Sequence, residues 1–120
     1  MTPADRCEEN RLNGLSAENR VAKSYERCGF ELVQKRFRKG RGEIDLIFKH
    51  GQKYYFTEVK RAADHDTALA YIHSVKVARI EETILAFLEA NNLSPNTDMR
   101  VDAALVDRHN RIKVIPNILH

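Results

Sequence analysis

From Leu15 onward, apolar residues recur at helical spacing: Leu15, Val21, Ala22, Tyr25 and Cys28. Ser16 or Asn13 is placed to cap the start, and Gly29 stands where a left-handed C-terminal cap belongs. The pattern predicts a helix at about 15–28. The next segment, 30–38, reads as a strand with imperfect alternation. Segments 43–49 and 52–60 are both rich in β-branched and aromatic residues, and His50-Gly51 between them is a connection of the tight-hairpin kind. Residues 61–73 are mixed and read as a loop. A second amphipathic helix is predicted over 74–91, capped by Ser74, with Val77, Ile80, Ile84, Phe87 and Leu88 on one face. Ser94-Pro95-Asn96 breaks the chain, and 100–107 and 111–115 read as two further strands. The order α-β-β-β-α-β-β predicts a single α/β domain over 14–120, a mixed β-sheet with flanking helices. The polar, aperiodic stretch 1–13 reads as a flexible N-terminal arm.

Length and composition agree with one globular domain. The chain has 120 residues, 42% hydrophobic and 31% charged, which excludes a disordered or fibrous protein. Net charge is +3, too small to indicate nucleic-acid binding by itself. The first residues mix acid and base without an apolar core of the signal-peptide kind, and no apolar run approaches a membrane span. Cys7 and Cys28 form no CxxC pair and read as reduced thiols. The expected location is therefore cytoplasmic, with no membrane partner. The five histidines show no zinc-ligand spacing.

Candidate chemistry comes from the hairpin. If Lys49 pairs with Gln52 across His50-Gly51, Asp45 lies opposite Phe56, with Glu58 two residues further along that strand. Side chains alternate with period two, so Asp45, Glu58 and Lys60 share one face. Diagonal neighbours there are about 7–8 Å apart, within shared reach of one ion. Two acids gathered in this way call for a hard divalent cation, Mg²⁺ with Mn²⁺ as the alternative. Such an ion polarises a phosphoryl oxygen and acidifies a bound water, and Lys60 is placed to stabilise developing negative charge. The same pattern also fits a solvated sheet face carrying a Glu58–Lys60 surface pair.

Glu18 adds a third acid. It precedes Val21, Ala22 and Tyr25 by three, four and seven residues, on the otherwise apolar face of the first helix. It is either a first-turn acid favoured by the helix dipole or a further ligand approaching the sheet. Ahead of Asp45, the cations Lys35, Arg36, Arg38, Lys39 and Arg41 form a rim suited to phosphate, or else a solvated charged face. Lys76 extends that rim from the second helix. Asp64-His65-Asp66 resembles a ligand cluster but reads as solvent-facing loop. No Ser-His-Asp or Cys-His apparatus and no Gly-rich phosphate loop is present.

The string Gly42-Glu-Ile-Asp-Leu-Ile47, the hairpin and Phe56-Thr-Glu-Val-Lys60 together resemble the PD-(D/E)xK restriction-endonuclease-like superfamily. More narrowly, the chain resembles the YraN-like family of small bacterial proteins. The likeness extends over 14–118, from the Gly14-Leu-Ser-Ala-Glu18 helix start through Lys76-Val-Ala-Arg-Ile80 to the closing strands. It implies a restriction-endonuclease-like fold with Asp45, Glu58 and Glu18 as metal ligands and Lys60 as the catalytic lysine. It also implies a cationic rim facing DNA and leaves room for a homodimer.

These readings lead to an expected function: metal-dependent hydrolysis of phosphodiesters in DNA, including branched or repair intermediates. Two others stay open. One is a non-catalytic nucleic-acid-binding module that keeps the fold. The other is a small interaction protein whose basic rim docks an acidic partner.

Overall fold

The computed structural model of the chain describes residues 17–73 and 77–118. The expected arm at 1–13, the helix caps Asn13 and Ser16, Ser74 and the rim residue Lys76 lie outside the described residues.

Helix α1 (17–27) ends at a turn in which Gly29, at φ 90°, takes the left-handed position expected of it. Three strands follow: β1 (Glu31–Lys39), β2 (Gly42–His50) and β3 (Lys53–Arg61). Next come α2 (His65–His73), α3 (Val77–Ala90), β4 (Met99–Val106) and β5 (Ile112–Ile115). The five strands form one sheet in the order β1-β2-β3-β4-β5. Only the β3–β4 pair is parallel, so the sheet is mixed, as expected.

Two expectations are corrected. Residues 61–73 are not all loop, because α2 begins at His65 behind Asp64, whose Oδ1 accepts the Thr67 amide N–H at 2.7 Å. That is N-cap geometry, so the Asp64-His65-Asp66 string is a helix start. The order is therefore α-β-β-β-α-α-β-β. The hairpin register also differs. His50 pairs with Lys53 and Leu46 with Thr57, so the turn is Gly51-Gln52, not His50-Gly51. Gly51 stands at φ 64°, which suits a two-residue hairpin turn and leaves His50 as the last extended residue of β2. A shift of two residues preserves the faces but replaces Phe56 with Glu58 as the residue opposite Asp45.

The layers follow from the alternating side chains. Val21, Ala22 and Tyr25 of α1 pack against Leu46, Phe48, Tyr55, Ala104 and Val106. On the other face, Ile80, Ile84, Phe87 and Leu88 of α3 cover Ile47, Phe56 and Val101, while Ala68 of α2 covers Ala103 and Leu105. The result is a helix layer on each side of the sheet. At the core, Tyr25 stacks on Phe48, with ring centroids 4.3 Å apart and planes 4° from parallel.

Candidate active site

The alternation of β2 breaks at Asp45. Leu46 belongs to the α1 side of the sheet, yet Ile44, two residues away, packs with Ile84 and Phe87 on the α3 side. The neighbouring strand breaks at the same level. Lys35 pairs with Leu46 and Phe37 with Ile44, while Arg36 between them adopts φ 53°. A left-handed arginine inside a strand costs energy and reverses the side on which the next side chain falls. Phe37 is thereby delivered to the α3 core against Phe87.

Asp45 is also where β2 parts from β3. The last ladder pair is Leu46–Thr57, and the next pair in that register would be Asp45–Glu58. There the side chains replace the ladder. Asp45 Oδ2 accepts the Val59 amide N–H at 2.7 Å, and the Asp45 amide N–H is directed at the Glu58 carboxylate. Two half-buried carboxylates thus sit side by side at the fork between the β1–β2 hairpin and β3.

Electrostatics record the crowding. Burial pushes the Asp45 carboxyl up to about 6, with Glu18 and Glu43 adding to the rise while the Val59 amide and Lys60 oppose it. Burial, followed by repulsion from Asp45, pushes Glu58 up to about 8. Lys60 favours the charged form of both acids but does not offset the other effects. Glu58 Oε1 is buried and has no hydrogen-bond partner among the described residues, an unmet demand for a cation or a proton.

The structure treats the third acid differently. Glu18 lies half-buried on α1. Its charge reaches Asp45, but its Oε2 accepts a hydrogen bond from Arg36 Nε at 3.2 Å. Among the described residues, no three carboxylate, histidine or cysteine side chains form a ready-made metal cage. Asp45 and Glu58 come together as expected, Lys60 is within electrostatic reach, and Glu18 stands aside, held by Arg36.

Much of the expected cationic rim is engaged locally. Lys35 Nζ donates to Asn19 Oδ1 at 2.7 Å, Arg36 binds Glu18, and Arg38 Nε lies 3.2 Å from Glu43 Oε1. Lys39 and Arg41 remain at the hairpin tip, where they join Arg79 of α3 around a hollow of about 410 Å³. Sequence reasoning missed three features: Glu43, which raises both acids; Arg36 as the clamp on Glu18; and the backbone amide of Val59. Only Glu43 left a signal, as an acid two residues before Asp45. The others depend on the break in strand geometry.

The model for the uncharacterised protein family UPF0102 matches residues 17–106. A UPF0102 protein of Ruegeria pomeroyi is 38% identical over 114 residues, which cover 95% of this chain and 93% of the relative. One from Dinoroseobacter shibae is 35% identical over 107 residues, 89% of this chain and 80% of the relative. One from Aliarcobacter butzleri is 35% identical over 106 residues, 88% and 94% respectively. The match spans α1, the fork between β2 and β3 and the whole of β4, and on that extent the chain belongs to the UPF0102 family.

Proposed function

We propose that the protein is a metal-dependent phosphodiesterase of the restriction-endonuclease-like PD-(D/E)xK class, acting on DNA. The observation that carries this reading is the Asp45–Glu58 pair at the fork. Both carboxyls hold protons above the ordinary carboxylate range, and one buried oxygen of Glu58 lacks a partner among the described residues. An arrangement that costly to stability suits the binding of a hard cation through oxygen ligands. Asp45 and Glu58 would hold Mg²⁺ or Mn²⁺, which supplies Lewis-acid polarisation of a phosphoryl oxygen and a more acidic bound water. Lys60, two residues after Glu58, places a positive charge beside the reacting phosphate. The backbone amide of Val59 fixes the Asp45 carboxylate in position.

The test is cleavage of linear, nicked, flapped and four-way DNA by the purified protein with Mg²⁺ or Mn²⁺. Wild-type protein is expected to cut at least one substrate, and Asp45→Asn and Lys60→Met to abolish cutting while the fold persists. A wild-type protein inert on the whole panel refutes the catalytic reading.

A second reading, a non-catalytic nucleic-acid-binding module, has its own support. Arg36 occupies Glu18, and among the described residues no three carboxylates form a metal cage. It predicts salt-sensitive DNA binding that is indifferent to Mg²⁺ and to Asp45→Asn.

A further inference from the structure

On the α1 side of the sheet, a groove of about 460 Å³ runs between that helix and the turn leading into β5. One wall is formed by Asn19, Arg20, Lys23 and Arg27, the other by Asn110 and Ile112. Positions 20, 23 and 27 fall within one narrow arc of a helix and span about 10 Å along its axis. Arg20, Lys23 and Arg27 are all exposed, and none makes an ion pair with another described residue. The contrast with β1 is direct, because Lys35, Arg36 and Arg38 are already engaged by Asn19, Glu18 and Glu43. Uncommitted positive charge therefore lies on the flank of α1 as well as at the Lys39–Arg41 tip.

The groove begins beside Glu18. Asn19, at its end, accepts the Lys35 hydrogen bond and follows Glu18 directly in sequence. Across from the cations, Asn110 holds a left-handed turn at φ 63° and has a buried Oδ1 with no hydrogen-bond partner among the described residues. Ile112 is the one large apolar side chain in the lining, so an acyl chain or a hydrophobic peptide side chain finds little to bury there. The three cations, spread over about 10 Å, run alongside about three axial steps of 3.4 Å along one DNA strand.

We propose that this groove carries the phosphate backbone of a nucleic acid, as a track separate from the Lys39–Arg41–Arg79 hollow at the hairpin tip. The inference rests on the nucleic-acid reading above. It assigns the substrate a footprint along α1 that sequence reasoning had placed on β1.

The experiment is fluorescence-anisotropy titration of a labelled 20-base-pair DNA duplex with the full chain, in chelator so that binding is measured without cleavage. The proteins compared are wild type, Arg20→Gln/Lys23→Gln/Arg27→Gln, and the control Lys49→Gln/Lys53→Gln at the far end of the hairpin, each checked for folding by circular dichroism. The groove variant is expected to bind roughly tenfold or more weakly near 0.1 M salt, with a log–log salt slope flatter by about 2–3. The control should stay within about twofold of wild type. If wild type binds and the groove variant matches it, the proposal is overturned while the nucleic-acid reading stands. Equal losses in the groove variant and the control overturn it as well, by showing a general charge effect. If wild type fails to bind DNA even at low salt, both fall. Binding to phosphatidylserine vesicles that the groove variant abolishes would then reassign the groove to an anionic lipid surface.

Discussion

Asp45 and Glu58 occupy the first pair position beyond the last ladder pair of β2 and β3, and Asp45 takes the amide N–H of Val59, the residue after its partner, at 2.7 Å. The strands stop bonding to each other at this point, and two acids stand in the gap. Its chemistry and its energetic cost have one source: negative charge is concentrated where water is scarce.

That cost sets a pH dependence. With Asp45 raised to about 6 and Glu58 to about 8, the folded chain binds protons that the unfolded chain releases near pH 4. Between those values the native state holds more protons, so stability falls as pH rises. Without divalent ions, unfolding free energy is expected to drop on the order of 1–3 kcal/mol between roughly pH 5 and about pH 8.5. Glu58→Gln should flatten that fall and stabilise the protein at the alkaline end. Urea denaturation of both proteins at the two pH values checks this; a wild type that gains stability with pH contradicts it.

Arg36 holds Glu18 away from the acid pair. Arg36→Gln frees that carboxylate, and divalent-cation affinity is expected to rise about three- to tenfold, since affinity follows the charge count of the oxygen ligands. Adding Glu18→Gln should cancel the gain. Isothermal titration with Mn²⁺ reads both. A gain that survives the double substitution would mean that removing the arginine charge, not recruiting Glu18, was responsible.

Gly42 opens β2 directly against Thr83 of α3, and a Cβ there would collide with Thr83 Oγ1. Thr83 is buried, and its hydroxyl donates to the Arg79 carbonyl at 2.7 Å, so it has little room to yield. Gly42→Ala is expected to cost about 1–3 kcal/mol. Thr83→Ala in the same chain should recover part of that loss, a coupling that a double-mutant cycle measures. Additive losses would show that the two positions do not meet.

A second buried carboxylate stands at the centre of a hydrogen-bond network. Asp102, with no exposed surface, accepts the Tyr25 hydroxyl at 2.7 Å and two guanidinium bonds from Arg100 at 2.7 and 2.9 Å. Asp102→Asn leaves Arg100 without its counter-charge and is expected to cost about 2–4 kcal/mol. Tyr25→Phe, which removes one neutral donor, should cost about 1 kcal/mol. Thermal melts rank the pair, and the reverse order would remove Asp102 from the centre of this network.

Most elements were legible because each rests on local periodicity. The apolar stripe Ile80, Ile84, Phe87, Leu88 marked α3, and the β-rich runs marked β2 and β3, since burial of one face is written residue by residue. Helix α2 was not legible. Of its buried contacts the structure describes only the small Ala68, and its cap, Asp64, stood in a string resembling a metal cluster. The spacing of Asp64 and Thr67, a cap with its bonded amide three residues later, was the signal available.

The candidate site divides along the same line. By itself, the sequence determined that Asp45, Glu58 and Lys60 lie on adjacent hairpin strands, because period-two alternation and a tight turn are local properties. Tertiary structure decided the rest. The turn settled on Gly51-Gln52, the left-handed Arg36 reversed the face of β1, and β2 parted from β3 at the acids. Glu18 and Arg36 found each other from positions 18 residues apart, which joins an expected metal ligand and an expected DNA contact in one ion pair. Pairings of this kind depend on where whole elements come to rest. A charge in the sequence specifies what a side chain can bind, and only the packed chain selects which neighbour it binds first.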